Sequence, residues 1–322
     1  MLRWTLAALA LLSASISAQP AVSKPQCALS PADQAWIESA MRAWNYTTET
    51  ITGVGRVKNI QAVFFDSSCV VTSETAMNGG PNVWTSVRHD GEVTLPTGEK
   101  IPVGVTSFAK GEKDKGYFVM STPSIWRSAN MPHNNLGSLE TLMTVVVVHE
   151  GHHVAQVPTY GRRIGAIAEK NQLPESFNDD SIQEQFRGNK DFTASVWREV
   201  DLFLAAAEAP DRATALALAR KAREMMRTRQ ARWYVGKDAY LAEAEDVFLT
   251  IEGSAQWAAY QWAVDPKGGN VAKPAAFHSF GRRRGWWSQD EGFALFMALD
   301  RLSDGSWKRH AFGDGAKTAL QM

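Results

Sequence analysis

Along the run ADQAWIESAMRAWNYTTETI, the apolar residues Trp36, Met41, Trp44 and Ile51 recur every three to five positions. That spacing lines one face of a helix, and Ser30 ahead of Pro31 suits its N-cap. The following hundred residues change period. NIQAVFFDSSCVVTSE, VWTSVRHDGEVTLPTGEKIPVGVTSF and GYFVMSTPSIW are short β-rich runs, broken by Asn78-Gly79-Gly80-Pro81, Asp90-Gly91 and Thr97-Gly98. They predict a small sheet of about four strands with a helix packed on it, and Asp90-Gly91 reads as a hairpin turn. The run GYFVMSTPSIW fits either the edge of that sheet or its interior.

From Leu136 the helical period takes over. Helices are expected over Asp191 to Ala209, Asp211 to Tyr234 and Asp238 to Val264. After the glycine- and proline-rich VDPKGGNVAKPAA, a last pair covers Gln289 to Ser303 and Trp307 to Gln321. The charge-rich Asp211 to Arg232 reads as a solvated face. Arg163 to Asp180 carries Gly165, Pro174 and Asn178-Asp179-Asp180, and reads as a long loop, either a lid or a connection. The expected class is α+β. A small N-terminal sheet with a helix (residues 19–135) precedes a mostly helical part (residues 136–322), the two forming one unit.

The first residues belong to neither part. Arg3, the apolar run Trp4 to Leu12 and the small residues up to Ala18 have the three-part pattern of a cleaved signal peptide, residues 1–18. The apolar run is too short to span a bilayer. A secreted or periplasmic protein without stable membrane insertion is expected. In such a compartment the isolated pair Cys27 and Cys69 reads as a disulfide, stabilising the fold by about 3–4 kcal/mol. The 34 basic and 34 acidic residues balance, so no electrostatic case exists for a nucleic-acid partner.

The stretch Val145 to Gln156, VVVVHEGHHVAQ, pulls two ways. Four valines favour a strand, yet the letters that follow make chemical sense on a helix. There, His149 and His153 lie four apart on one face and present two imidazoles to one metal ion. Glu150 sits beside such an ion, displaced from ligation but placed to take a proton from water. His152 points off that face and is not a ligand. A helix buried all round, Leu139 to Gln156, reconciles the valines with the histidines, since packing overrides weak propensity. Asn135 and Ser138 are its candidate caps. Gly151, costing about 1 kcal/mol relative to alanine, signals a close neighbour.

On His149, Glu150 and His153 the sequence resembles the zincin metallopeptidases, in the gluzincin arrangement whose third ligand is a distant glutamate. The resemblance implies a zinc ion, a peptide or protein substrate held along a sheet edge, and a helical C-terminal part that supplies the third ligand. Two segments offer that ligand: FLTIEGSAQWAAY with Glu252, and SQDEGFALFMALDRL with Glu291. Glu252 is favoured, because an acid amid the apolar stripe of Phe248, Ile251 and Ala255 is costly to bury unless paired or metal-bound. The pattern from Glu252 to Trp257 also resembles the third-ligand helix of several gluzincins, with Gly253 letting the two zinc-bearing helices approach. Glu291 remains the alternative, against the plain reading of a helix-opening acid. Glu245 is a candidate partner for a ligating histidine. Tyr234, Tyr240, Tyr260 and His278 are candidates to stabilise an oxyanion, and Arg282, Arg283 or Arg284 to bind a substrate carboxylate.

The expected function is a secreted zinc-dependent peptidase with Glu150 as general base. The alternatives are a zinc amidohydrolase acting on another amide of the cell envelope, or a non-catalytic binding protein with a zincin fold.

Overall fold

The computed structural model describes residues 27–55, 60–74, 83–112, 115–129, 136–281, 285–313 and 315–322. The leader, Asn78–Pro81, Asn135 and Arg282–Arg284 lie outside the described residues.

Helix α1 (Pro31–Tyr46) starts where its spacing predicts, with Ser30 Oγ accepting from the Asp33 amide. Seven strands follow among the described residues: β1 (Ile60–Phe65), β2 (Cys69–Glu74), β3 (Val83–Arg88), β4 (Glu92–Thr94), β5 (Lys100–Pro102), β6 (Ser107–Glu112) and β7 (Lys115–Ser121). Five form one sheet in the order β3-β2-β1-β7-β6, parallel only between β1 and β7, while β4 and β5 form a separate ribbon. The sheet is thus one strand larger than expected. Asp90-Gly91 turns the chain between the two sheets, and the hairpin proper lies at Thr97-Gly98, where Gly98 has a φ of 85°. Cys27 and Cys69 form the expected disulfide, tying the segment ahead of α1 to β2.

Side chains alternate across the sheet as the pleat requires. Ala62, Phe64, Phe118 and Met120 face α1 and the central helix, packing with Trp36, Trp44, Met143 and Val147. Val63, Phe65, Tyr117 and Val119 face the opposite way, under Val93 and Leu95 of the ribbon and Ile125. Strand β7 is interior, between β1 and β6, and ends at Ser121. The remainder of GYFVMSTPSIW, read as β-rich, is the short helix α2 (Pro123–Ser128), because Pro123 supplies a preset φ at a helix start.

The opening conflict of the valine run resolves as a helix. Helix α3 (Leu139–Gln156) is capped by Ser138 Oγ, which accepts from the Thr141 amide. Val145 and Val148 enter a core shared with the C-terminal helices, while Val147 and Val154 enter the core under the sheet. Full burial of each valine contributes about 1.5–3 kcal/mol, which outweighs the few tenths lost to helix propensity. Gly151 is the expected close neighbour site: a Cβ there would sit 2.7 Å from the ring of Trp44.

Past α3 the helices are α4 (Arg162–Lys170), α5 (Ser181–Phe186), α6 (Lys190–Glu208), α7 (Arg212–Trp233), α8 (Leu241–Val264), α9 (Lys273–Gly281) and α10 (Trp287–Ser303). Two expectations change here. The long loop from Arg163 shrinks to 171–180, because the chain continues from α3 through a wide turn, Val157–Gly161, directly into α4. The last expected helix, Trp307 to Gln321, is instead two short 3₁₀ turns, Ser306–His310 and Ala319–Gln321, joined by a segment containing Gly313 and Gly315 at positive φ. That segment is strapped across the helices: Thr318 Oγ1 donates to Asp246 on α8, and Tyr160 donates to the carbonyls of Ala311 and Lys317. No helix among the described residues is long and apolar enough to cross a membrane.

Candidate metal centre

Helix α3 carries His149 and His153 on one face, and α8 crosses beneath it. The His149 and His153 Nε2 atoms stand 2.8 Å apart. Glu252 Oε1 lies 3.1 Å from His153 Nε2, and Glu252 Oε2 lies 3.4 Å from His149 Nε2. His149 and Glu252 are buried and His153 is nearly so. The donor set fits a metal ion on two grounds. Two imidazole nitrogens and a carboxylate converge within 4.8 Å, the ligand types of a divalent transition-metal site. Glu252 Oε2, turned into the cluster, accepts no hydrogen bond although it is buried, a costly state for an isolated carboxylate oxygen. The buried His149–His153–Glu252 cluster could hold a metal ion.

His153 and Glu252 shift one another. Burial opposes a charge on His153, but the Glu252 carboxylate outweighs it and lifts the pKa to about 9. Burial pushes Glu252 upward, and the two imidazoles more than reverse this, holding it well below the usual carboxylate range. Glu150, next to His149 on α3, is raised by its burial, against the pull of the two histidines and a hydrogen bond from the Ala109 amide. That amide belongs to β6, the edge of the sheet. Ser121 N donates to Thr106 O, so the ladder bonds with β7 fall on the even-numbered residues of β6, and Ala109 turns its N–H and C=O outward. The edge strand beside the site is therefore β6, not β7.

His152 is off the ligand face, as expected. It lies between the rings of Trp44 and Phe312, at 5.6 and 5.8 Å, and burial depresses its pKa to about 3, so it is neutral.

The other sequence candidates go elsewhere. Glu291 is not a solvent-facing helix opener: it is buried, 3.4 Å from Arg229 Nη2. Glu245 does not reach a ligating histidine either. It accepts from Arg229 Nη1 at 2.8 Å and from Tyr234 Oη at 2.7 Å, and this engages Tyr234 as well. Arg229 also donates to Glu199 through Nε and Nη2. The guanidinium thus gathers acids of α6, α8 and α10 in one buried cluster, and α7 is not the wholly solvated face its charges suggest. Tyr260 packs among Phe277, Phe280 and Phe293, Tyr240 packs on Phe177, and His278 sits on α9 beside the same pocket as Lys273 and Tyr260.

Gly253 opens a different crossing from the one expected. A Cβ there would meet the backbone of Gly292 on α10 at 2.3 Å, so it lets α8 approach α10 and not α3. The contact of α8 with α3 runs through Gln156, which donates to Ser254 Oγ at 2.7 Å and to the Ile251 carbonyl at 3.3 Å. Sequence reasoning passed over Gln156, one turn beyond His153, where helical spacing alone would have pointed to it. It also passed over Asp179. That residue accepts from Ser288 Oγ, and its pKa is pushed up to about 7 by burial and then by the charge of Glu252.

No protein-family model matches this chain, nor does any curated protein or any solved structure.

Proposed function

We propose that this protein is a secreted zinc-dependent peptidase that hydrolyses amide bonds. The observation that carries this reading is the convergence of His149, His153 and Glu252 with Glu150 at their side and the edge strand β6 alongside. His149, His153 and Glu252 would hold a zinc ion, which would supply Lewis acidity to a substrate carbonyl and lower the pKa of a water toward neutrality. An extended peptide pairs with the open edge of β6, adding a strand to the sheet. Glu150 removes a proton from the attacking water and returns it to the leaving nitrogen, so that one carboxylate serves both halves of the hydrolysis.

Glu150→Gln tests this reading. On zinc-loaded protein and a mixed peptide library, the variant is expected to bind metal as the wild type does while cleavage falls by about 10²–10⁴-fold, the usual worth of a general base. Cleavage at the wild-type rate by the variant contradicts the role of Glu150. A wild-type protein that holds zinc and cleaves no peptide contradicts the peptidase reading itself.

A further inference from the structure

We propose that Gln156 is the positioning residue of this centre, fixing His153 in the one tautomer that leaves Nε2 free for metal; the inference rests on the zinc reading of the site. Gln156 is 1% exposed, so its amide has no freedom to exchange partners with solvent. Its orientation is dictated by what surrounds it. The Ile251 carbonyl can only accept, and the Ser254 hydroxyl spends its one proton on the Thr250 carbonyl at 2.8 Å. The Gln156 atom facing both must therefore be the NH₂, which donates to each. This leaves Oε1 facing His153 Nδ1 at 3.3 Å. An amide oxygen is an acceptor only, so Nδ1 carries the hydrogen and the lone pair sits on Nε2, the atom turned toward His149 and Glu252.

One side chain thus performs two tasks. It sets the tautomer and ring orientation of a ligand on α3, and it ties that ligand to the turn of α8 that carries Glu252, one residue beyond Ile251. A partner of this kind on a ligating histidine typically changes metal affinity by a factor of about 10–100. His149 has no equivalent: its buried Nδ1 has no hydrogen-bond partner among the described residues, so the tautomer control of the pair falls on His153.

The test is zinc affinity, measured by competition with a chelator of known strength, together with nitrogen-15 spectra of the histidine rings in the zinc-loaded protein. Gln156→Leu is expected to weaken zinc binding about 10–100-fold and to lose the protected Nδ1–H signal of His153. Gln156→Glu keeps the acceptor but cannot donate to Ile251. It is expected to hold zinc within about threefold of wild type and to retain that signal. If Gln156 served only to pin α3 to α8, the glutamate variant would be as weak as the leucine variant, and this would overturn the inference. Wild-type affinity in Gln156→Leu would overturn it as well. Should the leucine variant fail to fold, Ser254→Ala decides: removing the shorter anchor of the amide is expected to weaken binding severalfold, and unchanged affinity and spectrum count against the inference. Wild-type protein that binds no zinc removes the zinc reading and this inference together, whereas a wild type that binds and a leucine variant that binds equally well remove this inference alone.

Discussion

His153 and Glu252 are each shifted by the other, and the direction of both shifts fixes how the metal-free protein responds to pH. His153 is raised from its ordinary 6.5 to about 9. Its contribution to stability is therefore complete below about pH 6.5 and is lost as pH rises through about 9. Glu252 is depressed below its ordinary 4.5, so its contribution is complete above that value and lost in acid. The pair stabilises the metal-free fold fully only between about pH 4.5 and 6.5. Thermal midpoints of metal-free wild type and His153→Gln are expected to converge as pH rises from about 6.5 to 9.5. A gap that stays constant over that range would show that His153 carries no such charge. At this scale the sequence was informative where a cluster follows helical spacing, as for His149 and His153. It was informative for Glu252 because an acid inside an apolar stripe demands a partner. It was silent on Arg229, whose burial among Glu199, Glu245 and Glu291 depends on four helices meeting. In sequence that residue is one more cation on a highly charged helix.

Among the elements, the crossing of α8 and α10 sets where Glu252 stands. Gly253 and Gly292 face each other there, each leaving room for the other's backbone. Alanine in place of a mid-helix glycine gains about 1 kcal/mol from propensity alone. A net loss therefore requires a clash that exceeds this gain. A Cβ on Gly253 would lie 2.3 Å from the Gly292 carbonyl oxygen, backbone that cannot turn aside, while one on Gly151 would press on the Trp44 ring. Gly253→Ala is expected to lose about 1–3 kcal/mol in urea unfolding and Gly151→Ala to lose less. A Gly253→Ala protein as stable as wild type would contradict the close crossing. Helices α6, α7 and α8 were legible because each is long and capped or periodic. The helix expected over Trp307 to Gln321 was not, because Gly313 and Gly315 take positive φ and the segment earns its place by hydrogen bonds to Asp246, Thr250 and Tyr160. Those partners are distant in sequence, and no local pattern announces them. For GYFVMS the sequence left edge and interior open; the run sits inside, where both faces and both edges are covered, and the less apolar Ser107–Glu112 forms the edge.

Across the whole molecule, α3 is the seam. One side of it packs under the sheet with α1, the other packs on α8, and the His149–His153–Glu252 cluster lies where the two meet. This placement explains why a helix built from valines carries the candidate site: it must be apolar on nearly every side to join two cores. The α+β class and the order of sheet before helices followed from a change of period near Leu136, which is a property of long segments and survives errors at their ends. The pairing of α3 with α8 did not follow from any segment, only from one motif and one misplaced acid. The most direct measurement is the metal content of the purified protein, for wild type and Glu252→Ala side by side. About one zinc per chain in the wild type, and its loss in the variant, is the result expected of a site with three protein ligands. A wild-type protein that holds no metal after zinc is supplied, or a Glu252→Ala protein that holds it undiminished, would contradict the account.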